Sequence, residues 1–391
     1  MNPTLPRKHP GRVARRPIPF WGLLLWLLLA CAPARSATVP VLEVRDAIGP
    51  ASADYILRGL ARAAQSGAPL VVIRLDTPGG LDSAMRQIIQ GILASPVPVA
   101  VYVGPEGARA ASAGTYILYA AHIAAMAPAT TLGAATPVAI GMPGVERPAP
   151  PRPPGAGKDE APPSAPADAM TAKQVHDAAA FIRGLAQQRG RNAEWAERAV
   201  REAVSLTAAE ALRLKVIDVV ATDVDALLAQ IDGRTVRLHA GDLKLATRGL
   251  ATETWLPDWR QRLLSVIANP SFALILMMIG IYGLFFEFSS PGFGVAGVAG
   301  GICLLLGLYA LQMLPVNYAG LGLILLGLAL LGAELLTPAF GVLGVGGVVA
   351  FIAGALLLFE RDVPGFGVPL ALIIGLAASS AAVVLLGGNL A

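Results

Sequence analysis

The chain of 391 residues is poor in charge, cysteine, lysine and histidine. Only 14% of its residues are charged and 55% are apolar, a balance too oily for a wholly soluble chain of this length. A membrane portion is therefore expected. The scarcity is concentrated: from Leu263 to Ala391 the charged residues are Glu287, Glu334, Glu360, Arg361 and Asp362, with no lysine. That third of the chain is bilayer material. The two cysteines, Cys31 and Cys303, make no disulfide framework and no metal-ligand spacing, so neither zinc nor iron-sulfur chemistry nor any cofactor is expected. The formal net charge is +4, but five of the thirty basic residues (Arg7, Lys8, Arg12, Arg15, Arg16) sit at the N-terminus. The rest before Leu263 is nearly balanced, which leaves a nucleic-acid surface unsupported.

Residues 1 to 16 carry bases and no acid, and Phe20 to Ala32 is an apolar core followed by small residues. This is the three-part layout of a secretory signal, so residues 1–37 are expected to direct export of the downstream segment. Cleavage after Ala34 or Ser36 satisfies a small-x-small rule. Leu28 to Cys31 resembles a lipoprotein box, with Cys31 as a simple filler of the apolar core the plainer reading; an uncleaved anchor is the remaining alternative.

Behind the leader, Val39 to Val44, Leu70 to Leu75, Val97 to Val103 and Ile123 to Ala127 are apolar runs of strand length. Helical spacing lies between them, at Ile56, Leu57 and Leu60 and at Leu81, Met85, Ile88, Ile89 and Ile92. Alternating strands and helices predict βαβ units and a mostly parallel sheet. From Gly141 to Met170 the pattern vanishes into nine prolines in thirty residues, a segment unable to bury a core. Helical periodicity returns over Ala172 to Gln188 and Glu194 to Ala203. Thr207-x-x-Glu210 reads as a capping box opening Ala208 to Leu214, and Val216 to Val220 is expected to close the domain as a strand.

Two junctions carry candidate chemistry. Asp76-Thr77-Pro78-Gly79-Gly80 follows a buried strand and precedes a helix, so its glycines can turn tightly and present bare N–H groups to an anion. A ligand-free turn is the plainer reading of this junction alone. The second is Ala110-Ala111-Ser112-Ala113-Gly114, where Ser112 would open a helix between residues too small to block a substrate. Such exposure suits a nucleophile, and the N–H of Ala113 would point at the same carbonyl oxygen. A serine there also serves as a plain helix cap.

Pro-Gly-Gly followed about thirty residues later by Ala-Ser-Ala-Gly resembles the Clp protease and signal peptide peptidase superfamily. Further segments extend the likeness: Arg189 to Asn192, Glu197 to Glu202, Ser205 to Leu212 and Val216-Ile217-Asp218 look like the long form of the NfeD family, membrane-bound proteases associated with stomatins. The resemblance covers roughly residues 38 to 388. It implies an α/β fold, a Clp/crotonase-like spiral of βαβ units, followed by an all-α multi-span transmembrane domain. It also implies a serine nucleophile at Ser112, a lysine base, oxyanion donors at Gly79 or Gly80 and at Ala113, and a stomatin-like partner. The long form usually continues into a small barrel of the OB type, and this chain stops at Asn389-Leu390-Ala391, so that barrel is expected to be missing.

The residues themselves allow a lysine base without selecting one, since by composition alone Lys173 reads as a solvated lysine at a helix start. The histidines are His9 in the leader, His122 beside an expected edge strand, His176 on the returning helix, and His239. Where the Clp enzymes carry their catalytic histidine, Leu132 to Val138 has Gly133, Ala134, Ala135 and Thr136. Lysines outside the leader are Lys158, Lys173, Lys215 and Lys244, and Lys173 is in register with the family's base. His176 remains a rival on the same helix. A lysine serves as base only when neutral, which requires burial to lower its pKa.

The last third reads as five apolar spans, from Ser271 to Phe288, Phe293 to Gln312, Ala319 to Leu336, Val342 to Phe359 and Val368 to Gly388. It contains an internal repeat: Glu287-x-x-x-Pro291-x-Phe293-Gly294-Val295-x-Gly297 recurs 47 residues on as Glu334-x-x-x-Pro338-x-Phe340-Gly341-Val342-x-Gly344. The carboxylates mark either an ion or substrate path or the edges of turns. The domain plan is a signal peptide at 1–37, a protease domain at 38–250 with the insert at 141–170, a linker at 251–270 and a transmembrane domain at 271–391. The functional expectation is an inner-membrane, multi-pass serine endopeptidase with an extracytoplasmic Ser112–Lys173 site, a homodimer or higher oligomer, cutting apolar segments of membrane partners. A non-catalytic scaffold on the same fold is the alternative, and acyl-CoA chemistry of the crotonase kind lacks the basic cluster and paired carboxylates it needs.

Overall fold

The computed structural model describes residues 38–137, 166–289, 292, 294–314, 316–336, 341–359 and 366–390. The leader, residues 138–165 with the insert up to 165 and Lys158, and the repeat positions Pro291, Phe293, Pro338 and Phe340 lie outside them, as do Glu360, Arg361 and Asp362.

The first half alternates as expected: β1 (Val39–Arg45), α1 (Pro50–Ser66), β2 (Val71–Asp76), α2 (Asp82–Ala94) and β3 (Val99–Val103). Next come β4 (Arg109–Ala111), α3 (Ala113–Ala120), β5 (Ile123–Met126) and β6 (Thr131–Gly133). After the undescribed stretch come α4 (Pro166–Arg189), α5 (Ala193–Arg201), β7 (Ser205–Thr207), α6 (Ala208–Arg213) and β8 (Val219–Val220). The predicted capping box is present, with Thr207 and Glu210 exchanging side-chain and backbone bonds at the start of α6. Helix α4 starts at Pro166, so the last residues assigned to the insert are helical.

The domain does not close at β8. It continues through α7 (Val224–Ile231), the antiparallel hairpin β9 (Thr235–Leu238) and β10 (Gly241–Lys244), and then β11 (Thr252–Trp255). This last strand pairs in parallel with β1, completing a six-stranded parallel sheet of order β11-β1-β2-β3-β5-β8. Residues 251–270, expected as a linker, therefore hold a sheet strand and α8 (Trp259–Ile267). Successive side chains on a strand point to opposite faces, and both faces here are covered. Leu42, Ile73 and Val101 pack with helices α1 to α3, whereas Val41, Val72, Ala100 and Tyr102 pack with α7 and β9. A second, three-stranded sheet, β4-β6-β7, is joined to the first by the pairing of Thr77, just after β2, with Ala110 of β4, while Ile48 and Gly80 pair beyond the ends of β1 and β2.

Five apolar helices complete the described chain: α9 (Pro270–Ser289), α10 (Val295–Met313), α11 (Tyr318–Leu336), α12 (Val342–Leu358) and α13 (Leu370–Leu390). Among the described residues, Pro270–Phe288 and Val295–Met313 are long and apolar enough to cross a bilayer, and the other three present shorter apolar stretches. The 47-residue repeat is a repeated helical hairpin. The Glu287 carboxylate accepts hydrogen bonds from the N–H groups of Gly292, Gly294 and Gly297, at 3.2, 3.1 and 3.3 Å. Glu334 accepts from Gly341 and Gly344 at 2.9 and 3.1 Å. Each carboxylate of one helix thus caps the N-terminus of the next, where unpaired N–H groups and the helix dipole favour negative charge. Between the turns the helices cross at glycines: a Cβ on Gly280 would lie 2.6 Å from the Leu304 nitrogen, and one on Gly327, its repeat partner, 2.7 Å from the Phe351 nitrogen. Small residues let the two backbones touch, which is how apolar helices associate where lipid offers no hydrophobic drive.

Candidate active site

Strand β4 delivers Ser112 into a turn so sharp that its φ and ψ are 50° and −116°. A side chain rarely adopts this conformation, and residues so strained persist only where the surroundings enforce them. The enforcement is visible. The Ser112 N–H donates to the Gly133 carbonyl at 2.9 Å, and the buried Thr115 hydroxyl lies 2.8 Å from the Ala110 carbonyl while accepting from the Gly133 N–H at 3.1 Å. Beneath it α3 is buried along its length. The Ser112 side chain makes no capping bond, which separates it from an ordinary helix cap. It stands half-exposed, with no hydrogen-bond partner among the described residues.

The Thr77–Gly80 loop lies directly against this serine. A Cβ built on Gly79, whose φ is +128°, would fall 2.8 Å from the Ser112 Cβ and 3.3 Å from its hydroxyl oxygen. Only glycine permits that approach. The two glycines differ in what their backbones do. Gly79 is fully engaged: its N–H donates to the Thr77 hydroxyl at 3.1 Å, and its carbonyl accepts from the Ile48 N–H at 2.7 Å. Gly80 is pinned by its neighbours, since Leu81 donates to the Ile48 carbonyl at 2.8 Å, but its own N–H has no partner among the described residues. The same holds for the N–H of Ala113 at the first position of α3. Sequence alone leaves Gly79 and Gly80 equivalent; the bonding separates them.

Lys173 lies exposed on the first part of α4 and makes no hydrogen bond or ion pair among the described residues. The structure thus brings Ser112, Gly79, Gly80 and Ala113 together, and Lys173 makes no hydrogen bond to any of them. Helix α4 is nevertheless anchored near it. The Arg86 guanidinium holds both Asp82 and Asp177, at 2.8 and 2.7 Å, and lies over the Phe181 ring, which stacks on Tyr116 of α3. Lys173 is one turn before Asp177 and about 12 Å of helix before Phe181.

The histidines serve other ends. His122, expected beside an edge strand, precedes β5, which lies between β3 and β8 inside the sheet. It is 9% exposed, and its Nδ1 accepts from the Val99 N–H at 3.2 Å. Burial, reinforced by the Arg189 and Arg191 charges, lowers its pKa to about 3, so it stays neutral and structural. Arg191 itself is buried and bonded to the Asp218 carboxylate at 2.6 Å and to the Tyr119 carbonyl at 2.8 Å. His176 is exposed and lies 3.2 Å from an Arg201 nitrogen. Sequence reasoning missed Thr77, Thr115 and Ile48, whose roles are backbone bonds that no spacing rule signals.

An α/β domain with a strained, unpartnered serine, joined to glycine-crossed apolar hairpins, defines a membrane protein that carries a site outside its apolar helices. Two family descriptions match: the NfeD1b N-terminal domain over residues 38–144 and the NfeD integral membrane domain over residues 271–387. The chain belongs to the NfeD family. It is 34% identical over 304 residues to the membrane-bound protease PH1510 of Pyrococcus horikoshii, covering 77% of this chain and 64% of that one. Against the membrane protein NfeD1b of Bacillus subtilis the identity is 28% over 298 residues, covering 74% and 60%. The chain therefore spans less than two thirds of the length of these relatives. A solved structure of the 1510-N membrane-bound stomatin-specific protease, a lysine-to-alanine mutant in complex with a substrate peptide, is 33% identical. It superposes with a TM-score of 0.50, covering 60% of this chain and 98% of that one.

Proposed function

We propose that the chain is a membrane-anchored serine endopeptidase that cuts apolar segments of membrane-associated proteins, with a stomatin-like protein as partner or substrate. The observation that carries this reading is the Ser112 turn: a strained residue with a free hydroxyl, set against a glycine loop beside two unspent N–H groups. In the mechanism, Lys173 takes the Ser112 proton as Oγ attacks the scissile carbonyl. The N–H groups of Gly80 and Ala113 stabilise the negative charge that develops on the carbonyl oxygen. Gly79 holds the loop rather than donating. Lys173 then returns the proton to the leaving amine, and a water repeats the cycle on the acyl-enzyme.

Lys173 is exposed in the free chain, and substrate or a second copy of the chain, by covering the first turns of α4, buries it beside Ser112. The likeness to a stomatin-specific protease supports the partner. The catalytic domain is assigned to the extracytoplasmic side of the inner membrane, with five spans and a homodimer or higher oligomer. The exposed lysine favours a second reading, a non-catalytic scaffold for the same partners. Peptide cleavage by the full chain decides between them. Ser112→Ala and Lys173→Ala should abolish turnover alike, because a nucleophile and its base act as a unit. Lys173→Arg should fail as well, since a guanidinium stays protonated. Retained activity in Lys173→Arg, or its loss in His176→Ala alone, would overturn the dyad.

A further inference from the structure

A groove of about 600 Å³ runs between the catalytic sheet and the membrane helices, within the size range of ligand pockets. One end reaches Pro78, the residue before the glycine that touches Ser112. The other reaches Asn269 and Pro270, where the first apolar helix starts, and Phe366, ahead of the last. Phe366 closes on the catalytic domain, since a Cβ on Gly49 would lie 3.3 Å from its ring. The groove is walled mainly by the catalytic half, with Pro270 and Phe366 bordering it from the side of the apolar helices.

Helix α8 shows where the groove sits relative to lipid. Arg262, Ser265 and Ala268 line it, while Leu256, Trp259, Leu263 and Val266 face away and are exposed, Leu256 at 67% and Trp259 at 69%. The last three recur at i, i+4 and i+7, making one apolar stripe flanked by Arg260 and Arg262. A helix with tryptophan and leucine on one face and arginines beside them, continuous with a bilayer-crossing helix, belongs in the headgroup layer. That places the groove at the membrane surface.

We infer that this groove is the entry path for an extended polypeptide leaving the bilayer, and that it feeds the stretch next to a membrane span of another protein to Ser112. The lining suits such a chain: Tyr55, Pro78 and Phe366 offer contact to the apolar end of the span, and Glu43, Arg45 and Asp46 offer both charges to the polar residues that border it. The inference rests on the peptidase reading, and the test separates the two. A photoreactive benzophenone amino acid is placed at Ser265, or at exposed Asp225 as a control, in the full chain carrying Ser112→Ala. Each is reconstituted in vesicles with a reporter protein made of one apolar span and a flexible tagged tail. The Ser265 position should crosslink the tail close to the span, and the Asp225 position should give background only. Equal labelling from both positions, or labelling confined to the far end of the tail, overturns the groove. Acylation of wild-type Ser112 by a fluorophosphonate is scored separately. Acylation without crosslinking rejects the groove alone, whereas crosslinking without acylation supports the groove and rejects the peptidase.

Discussion

Replacing Gly80 by Ala should destabilise the catalytic domain far more than the same change at another left-handed glycine. At Gly80, with φ +152°, the new Cβ would fall 2.1 Å from the Ile48 carbonyl oxygen and 2.5 Å from its nitrogen. These are backbone atoms and cannot rotate aside. The loop must withdraw, breaking the Ile48-to-Gly79 and Leu81-to-Ile48 hydrogen bonds at 2.7 and 2.8 Å. Two such bonds are worth about 1 kcal/mol each, and the backbone strain of an alanine there adds about 1–2 kcal/mol. Gly67, with φ +65° and nothing within 4 Å of its would-be Cβ, bears the strain alone. The difference between Gly80→Ala and Gly67→Ala is therefore about 2 kcal/mol, or roughly 4–8 °C in Tm for a domain of this size. Thermal melting of the full chain in detergent, followed by tryptophan fluorescence, reads it through the buried Trp195 and Trp255. Equal Tm losses for the two variants would refute the pairing of the glycine loop with the chain after β1.

Three further outcomes are expected from the geometry. Ser112→Gly should raise the melting temperature while removing activity, because relief of a strained non-glycine residue is worth about 1 kcal/mol or more; a lower Tm than wild type would contradict the strain. Glu287→Gln should weaken the first apolar hairpin by about 0.5–1 kcal/mol by removing charge at a helix N-terminus, read by detergent unfolding; an unchanged midpoint would reject the cap. His122 has a folded pKa of about 3 against an ordinary 6.5, so the unfolded chain binds the extra proton between these values. Its contribution to stability is complete above pH 6.5 and lost as pH falls towards 3, and His122→Asn should flatten that part of the stability profile; an unaltered profile would show that other groups govern it.

The sheet is legible in the sequence where strands are buried on both faces, because β1, β2, β3 and β5 read as mainly apolar runs, interrupted inside β1 by Glu43 and inside β2 by Arg74. Strand β11 is not, since Thr252, Glu253 and Thr254 are polar and exposed on an outer strand, and only pairing with β1 makes them a strand. For the same reason a boundary drawn from sequence falls too early. Ser112 and the glycine pair are visible as small residues at two βα junctions, yet which glycine keeps a free N–H depends on the Thr77 hydroxyl, which takes that of Gly79. The 47-residue repeat is plain in the sequence, but its carboxylates fit an ion path as well as a turn edge until their hydrogen bonds to Gly294 and Gly341 show them to be helix caps. Lys173 is marked by register alone, and its exposed position, without a hydrogen bond among the described residues, adds no structural sign to that register.

The central claim is that Ser112 is an activated nucleophile, and intact-mass analysis after treatment with an alkyl fluorophosphonate tests it most directly. Wild-type chain in detergent should gain one phosphonyl group, mapped by peptide fragmentation to Ser112. Ser112→Ala should gain none. A wild-type chain that stays unlabelled at every pH, or labelling that persists in Ser112→Ala, would contradict the account.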